Sequence, residues 1–213
     1  MLVRMISHTP NPERLVYIAG RVCYHSGDIR ELVEESEDIE RVRRFNRKLI
    51  KQDHLSVLEH VHATFYIHGI SRVCLAQLTR HRLASYSVRS HRRTKVTEFI
   101  TPESFLDYPD LKCESEKILS SLYGLYECMI DIGVPKEDAR FILPQGSATS
   151  LVMTANAREY RHILKLRLDR HSQWEIRHLC WRMLEQLVEV APSLFEDIKE
   201  AYDETRRCNS GDL

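Results

Sequence analysis

Apolar residues recur along the chain at spacings that switch between two and three to four, and each switch marks an element. Residues 2–7 read as a short strand. Asn11 offers an N-cap, with Pro12 at the first helical position, for a helix reaching about Tyr24. A second helix is predicted over 36–51, with Ile39, Val42, Phe45, Leu49 and Ile50 on one face. Its acids come first and its bases last, as the helix dipole favours. Residues 62–70, rich in β-branched and aromatic side chains, are the best strand in the chain.

A helix from about Ser71 follows, carrying Val73, Leu75, Ala76 and Leu78. Periodicity is lost over 83–93, which reads as loop or extended chain. Over 115–132, Ile118, Leu119, Leu122, Leu125, Tyr126 and Met129 form a helical stripe, closed by Gly133 and Pro135. A short helix starts at Pro135, Pro144 and Gly146 punctuate, and 147–155 suits a strand. Asn156 with Glu159 has capping-box spacing, and Ser172 with Glu175 repeats it. The helix opened by Ser172 places Ile176, Leu179, Cys180, Met183, Leu184, Leu187 and Val188 on one face and stops before Pro192. No repeat, low-complexity tract or linker interrupts the pattern. The expectation is one α+β domain over 1–213, helix-rich with a small mixed or antiparallel sheet, and a mobile tail from about residue 203.

Composition narrows the function. A chain of 213 residues with 43% hydrophobic and 29% charged residues can bury a real core. Lys plus Arg and Asp plus Glu both number 31, so no global field holds a polyanion. The charge is sorted locally: 28–40 is acidic, 41–48 basic and 80–95 strongly basic. The apolar run at the N-terminus is too short for a signal peptide, and no stretch approaches the 18 apolar residues of a membrane span. Cysteines 23, 74, 113, 128, 180 and 208 form no CxxC pair, which argues against a zinc ribbon, a redox dithiol or a disulfide framework. Reduced, mostly buried thiols in a cytoplasmic protein are expected.

The basic stretch TRHRLASYSVRSHRRTK, residues 79–95, holds six Arg or Lys and two His. The chain has seven glycines and neither a GxxxxGK nor a GxGxxG loop, so any phosphate must be held by side chains. Arginine suits this, because its planar fork makes two parallel charge-assisted hydrogen bonds to phosphate oxygens. Along an extended segment, Ser85, Ser87 and Arg89 share one face and Ser90 and Arg92 the other. Three readings stand at this level: a solvated loop, a small-anion site, or a nucleic-acid-binding module. A metal hydrolase built on His54, His60 and His62 lacks an HExxH or third-ligand pattern.

The residues also resemble a family. Arg80-His81-Arg82, followed after seven residues by Ser90 with Arg92, closely resembles the RHR-x7-S motif of the flavin-dependent thymidylate synthases. His54-Leu55-Ser56-Val57-Leu58-Glu59-His60 is similar to that family's H-x-S/T-x-x-E-H segment, and Asn156-Ala157-Arg158 to its N-A-R helix start. Residues 166–176, LRLDRHSQWEI, resemble its L-R-x-x-x-H-x-Q-W-E-I block. These motifs follow the family's order over most of residues 1–200.

The resemblance implies an α+β homotetramer with active sites shared between subunits, binding FAD. It implies conversion of dUMP to dTMP, with 5,10-methylenetetrahydrofolate as carbon donor and NADPH as reductant, and no role for nucleic acid, membrane or metal. By matching position, Ser56, Arg80, His81, Arg82, Asn156, Arg158 and His162 would hold FAD. Gln77, Arg80, Ser90, His91, Arg92, Arg140 and Arg167 would bind dUMP, His91 through its backbone. Ser87 and Val88 stand where many members have Asn and Glu, and Arg93 where they have Tyr.

Arg167 is the candidate catalytic group. Uracil C5 is a weak nucleophile, and a fixed cation beside N3 stabilises the more reactive pyrimidine anion. The plain alternative for Arg167 is a surface ion pair with Asp169. Ser90 has no base placed beside it, so a ligand role is preferred to a nucleophilic one. No cysteine has a nucleophile's context. Asn156 can cap a helix and bind a ligand at once. His171 either faces the flavin or is structural, and Glu59 either bonds the cofactor or pairs with His60.

Overall fold

The computed structural model describes residues 1–96 and 98–209, the side chains of 204–209 excepted. Residues 210–213, the end of the tail expected to be mobile, lie outside the described residues. A strand β1 (Leu2–His8) leads into helices α1 (Pro12–Val22), α2 (Ile29–Glu35) and α3 (Ile39–Lys51). Then come β2 (His62–Ser71), α4 (Arg72–Leu78), β3 (Ala84–Val88), α5 (Pro109–Asp131) and α6 (Lys136–Ala139). The chain closes with β4 (Ala148–Asn156), α7 (Ala157–Arg167), α8 (Trp174–Val190) and α9 (Pro192–Asn209). The strands form an antiparallel sheet in the order β1-β2-β4-β3, and helices dominate, so the fold is α+β as the sequence predicts. Among the described residues no helix is long and apolar enough to cross a membrane.

Two compact units share the chain. The larger takes residues 3–66, 81–86 and the chain from 152 onward. Its core follows the predicted periodicity in large part: Ile176, Leu179, Cys180, Met183, Leu184 and Leu187 of α8 are buried, with Val42 and Leu49 of α3, whereas Val188, Phe45 and Ile50 are half-buried and Ile39 is 39% exposed. Phe65 meets Tyr160 edge to face at 5.6 Å between centroids, a favoured aromatic geometry. The Tyr160 hydroxyl donates to the Ala63 carbonyl at 3.1 Å, so burying the ring leaves its polar tip satisfied.

Buried polar groups in this unit are paired across long stretches of chain. Glu13, 5% exposed, accepts from the Ser193 backbone N–H at 2.7 Å and from Arg43 Nε at 3.1 Å. Asn46 Nδ2 donates to the Glu13 carbonyl at 3.0 Å. The Arg161 guanidinium donates to Asp197 at 2.7 and 2.6 Å and also to the Leu194 carbonyl.

The helix starts differ from expectation in informative ways. Asn11 sits at the start of α1 in a left-handed conformation, φ 46°, with no capping bond from its side chain. The acidic run 28–40 divides into two helices because Asp28 and Asp38 each act as a cap, accepting from Arg30 N at 2.8 Å and Arg41 N at 3.0 Å. Gln173, not Ser172, caps α8, accepting from the N–H groups of Glu175 and Ile176. Ser172 instead donates its hydroxyl to the Leu166 carbonyl at 3.1 Å.

The smaller unit comprises residues 1–2, 67–80 and 87–151. Ser71 caps α4 through Cys74 N at 3.0 Å. Helix α5 begins at Pro109, earlier than the periodicity suggests, and Gly133 ends it with φ 98°. Of α5's side chains only Tyr126 is buried. Of the predicted stripe, Tyr126 is buried, Leu119, Leu122 and Met129 are half-buried, and Ile118 and Leu125 are 55% and 52% exposed; Leu111, 69%, and Ile132, just past the helix, 75%, are exposed beside them. The four exposed side chains recur every seventh residue, the spacing of a helix-to-helix seam. The cysteine expectation also needs correction. Among the described residues five cysteines stand outside any disulfide; Cys23, Cys113 and Cys128 are exposed, and Cys74 and Cys180 are buried.

Candidate functional site

The larger unit gathers its candidate groups around His81. Asn156 opens α7 by accepting from Glu159 N at 2.8 Å, and that cap fixes the register of the helix behind it. The register brings Glu159, His162 and Arg167 to one histidine. Arg167 donates Nε–H to His81 Nε2 at 3.0 Å. Glu159 Oε1 lies 3.9 Å from His81 Nδ1, and both side chains are less than a tenth exposed. The rings of His81 and His162 meet edge to face at 5.7 Å. Tyr86 donates its hydroxyl to the His81 carbonyl at 2.9 Å.

The electrostatics follow from burial. Burial pushes the Tyr86 phenol up to about 12, and the Glu159 charge adds to this. Burial also raises the Glu159 carboxyl, against an opposing pull from His162. Cys180, fully buried, is pushed up to about 12 despite the Arg167 charge, so its thiol stays protonated at neutral pH. Asp169, the partner considered for Arg167, accepts from His171 N at 2.8 Å and lies 2.9 Å from its ring nitrogen. His171 itself is 77% exposed and held by that aspartate.

The other candidates in this unit are exposed. Ser56 begins a short helical turn over Ser56–His60. Arg158 Nη1 donates to Glu59 Oε1 at 2.5 Å, which supplies the partner that Glu59 was expected to find in His60 or a cofactor. Arg82 and His162 both face solvent.

The remaining candidates, Gln77, Arg80, Ser90, His91, Arg92 and Arg140, belong to the smaller unit. His91 is buried there and its Nε2 has no hydrogen-bond partner. Burial, then the charge of Arg72, with smaller pulls from Arg89 and Arg140, lowers its pKa. Burial and three nearby guanidinium groups all favour the neutral imidazole, and the same positive charge suits an anion. Arg140 Nε donates to the Glu137 carbonyl at 3.0 Å, and the Glu137 carboxylate also pairs with Arg92. Gln77 is half-buried on α4, and Arg80, just beyond it, is exposed.

The basic stretch is not extended throughout. β3 stops at Val88, and Thr94 N donates to the Ser90 carbonyl at 3.0 Å, closing a turn over 90–94. Ser90 and Arg92 therefore do not share a strand face. Arg89 bonds inward, through Nε to Thr94 Oγ1 at 3.2 Å and Nη2 to the Lys95 carbonyl at 3.3 Å. Arg93, the added cation, has its carbonyl met by Lys136 Nζ at 3.4 Å. Among the described residues no group of three or more His, Cys, Asp or Glu is arranged to hold a metal.

Four side chains escape a reading by motif: Glu159, Tyr86, Arg72 and Arg89. Glu159 presents itself in the sequence only as a helix-cap partner. Its i, i+3 spacing to His162 was the available signal, since such pairs share a helix face. Arg72 directly follows the best strand, where a buried segment ends and charge first becomes affordable.

Comparison with known proteins identifies the family. Residues 4–193 match the model of the family described as thymidylate synthase complementing protein. A protein of Geobacter sulfurreducens named flavin-dependent thymidylate synthase is 40% identical over 201 residues, covering 92% of this chain and 86% of that protein. Proteins of the same name from Saccharolobus solfataricus and Pyrococcus furiosus are each 37% identical, over 91% and 87% of this chain and 75% and 78% of their own. With its RHR segment, its N-A-R helix start and a family match running over nearly its whole length, this chain belongs to the flavin-dependent thymidylate synthase family.

Proposed function

We propose that the chain is an FAD-dependent methyltransferase that converts dUMP to dTMP, taking its carbon from 5,10-methylenetetrahydrofolate and its electrons from NADPH. The observation that carries this reading is the bond from Arg167 to His81, which fixes a permanently charged guanidinium by its Nε and through a neutral acceptor. A cation so held stabilises negative charge spreading from N3 and the carbonyl oxygens of uracil. C5 then becomes nucleophilic enough to attack the folate methylene without a covalent thiol. The protonated Cys180 accords with this thiol-free route.

Gln77, Arg80, Ser90, His91, Arg92 and Arg140 are assigned to dUMP. Arg72, Arg89 and Arg140, whose charges all reach His91, provide the charge for its phosphate, and His91 contributes through its backbone. Ser56, Arg80, His81, Arg82, Asn156, Arg158 and His162 are assigned to FAD. The chemistry of Arg158 and His162 fits that group: both are exposed on α7, at whose capped start helix N–H groups favour phosphate. When bound, the flavin supplies the hydride that completes the methyl group. The residues of this chain orient it, exclude water through the buried His81 and Glu159, and keep Arg167 aimed.

Self-association as a homotetramer with shared sites belongs to the same proposal, and the open apolar stripe of α5 supports it. A cytoplasmic location is proposed with it. The deciding experiment is spectroscopic. Purified protein should be yellow, bleach on addition of NADPH, and form dTMP from dUMP and methylenetetrahydrofolate. A colourless protein that cannot be loaded with FAD overturns the reading.

A further inference from the structure

The bond between Arg167 and His81 raises a question of protons. An arginine Nε–H can only donate, and guanidinium does not deprotonate in proteins. A 3.0 Å contact from Arg167 Nε therefore requires a lone pair on His81 Nε2. Neutral imidazole carries one proton, and a second would set an imidazolium against a guanidinium inside the protein. The proton must sit on Nδ1. On that side Glu159 Oε1 lies 3.9 Å away, and both side chains are less than a tenth exposed. That distance is too long for a direct hydrogen bond and suits a little-screened charge–dipole attraction or one bridging water.

We propose that Glu159 is a positioning residue: its buried carboxylate keeps the His81 proton on Nδ1, so that Nε2 stays an acceptor and holds the Arg167 guanidinium in one orientation. The surroundings agree. The helix cap uses the backbone N–H of Glu159, so the carboxylate is not what closes α7. Burial raises the Glu159 carboxyl and the His162 charge opposes that rise by favouring the ionised form, while Tyr86, whose phenol stays neutral, anchors the His81 carbonyl. Tyr86 thus fixes the histidine backbone, while Glu159 fixes its tautomer.

The importance of this relay for turnover rests on the reading of Arg167 given above, but its test does not. Full-length protein, purified with its flavin and labelled with 15N-histidine, is to be studied by magic-angle-spinning NMR, with His81 assigned by its loss in His81→Gln. Wild type should show Nδ1 protonated and Nε2 as a lone pair. Glu159→Gln and Glu159→Ala should move His81 toward the Nε2–H form and lower kcat on the order of 10- to 100-fold, as expected when a reacting group is misplaced. Nε2 protonated in the wild type, or an unchanged tautomer in both variants, overturns the proposal. If Glu159→Ala fails to fold, the wild-type spectrum and Glu159→Gln still decide. A tautomer shift with unchanged turnover upholds the positioning of His81 and overturns the role given to Arg167.

Discussion

Arg167 is held by His81, nitrogen to nitrogen at 3.0 Å. A carboxylate in that position would orient the guanidinium equally well but would neutralise it. An imidazole acceptor gives direction and leaves the positive charge whole. Arg167→Ala should therefore lower dTMP formation by about 100- to 1,000-fold, the scale of losing one preorganised electrostatic group. Flavin absorbance should be largely kept. Turnover that survives the substitution removes Arg167 from the activating role.

The smaller unit makes a separable prediction. Arg140 contributes to the cationic surroundings of His91. Arg140→Ala should raise KM for dUMP by about 10- to 150-fold, equivalent to about 1.5–3 kcal/mol for a charge-assisted hydrogen bond, with a smaller change in kcat. Steady-state kinetics with varied dUMP would show it. Equal losses in both constants would instead point to damage at the reacting centre.

Asp197 should govern part of the acid stability. Burial alone would raise its carboxyl, but the hydrogen bonds and charge of Arg161 outweigh this and hold it below the usual carboxylate range. A carboxylate whose folded pKa is depressed stabilises fully above its unfolded value, about 3.9, and loses that contribution as pH falls toward the folded value. Melting temperature should thus drop below about pH 4. Asp197→Asn should flatten that drop while costing about 1–3 kcal/mol at neutral pH, by leaving the buried Arg161 without its charged partner.

The open stripe on α5 predicts the assembly state. Replacing Ile118 and Leu125 together by Glu should yield a smaller species by light scattering, with helical content retained, because both side chains already face outward. An unchanged mass would show that α5 is not a subunit contact.

If sites are shared between chains, two inactive variants should help each other. Mixing Arg80→Ala with Arg167→Ala, after dissociation and reassembly, should restore measurable dTMP formation. Failure of any mixture to exceed its parents counts against sharing.

Much of the fold is legible in the apolar spacing because burial dictates it: α8 shows its core face residue by residue, and the strand over 62–70 is found almost whole. Helix starts are less legible. Ser172 and Gln173 both offer an oxygen, and only the local turn decides which one meets the N–H groups of Glu175 and Ile176. Motifs name His81 and Arg167, but not the bond between them, which joins residues 86 apart in sequence. Glu159 is hidden for a different reason. A carboxylate in the first turn of a helix is ordinary on dipole grounds, and nothing in its spacing tells that it is buried. The α5 stripe leaves Ile118 and Leu125 open because periodicity reports that a face needs cover, not whose surface covers it.

The tie between Glu13 and Ser193 spans 180 residues. During synthesis the first helix leaves the ribosome with its acid unmet, and the amide that answers it is made 180 residues later. The unit that carries His81 and Arg167 therefore cannot finish folding until Ser193 has emerged. A message cut short ahead of Ser193 yields a polypeptide with a stranded interior carboxylate, however complete its motifs.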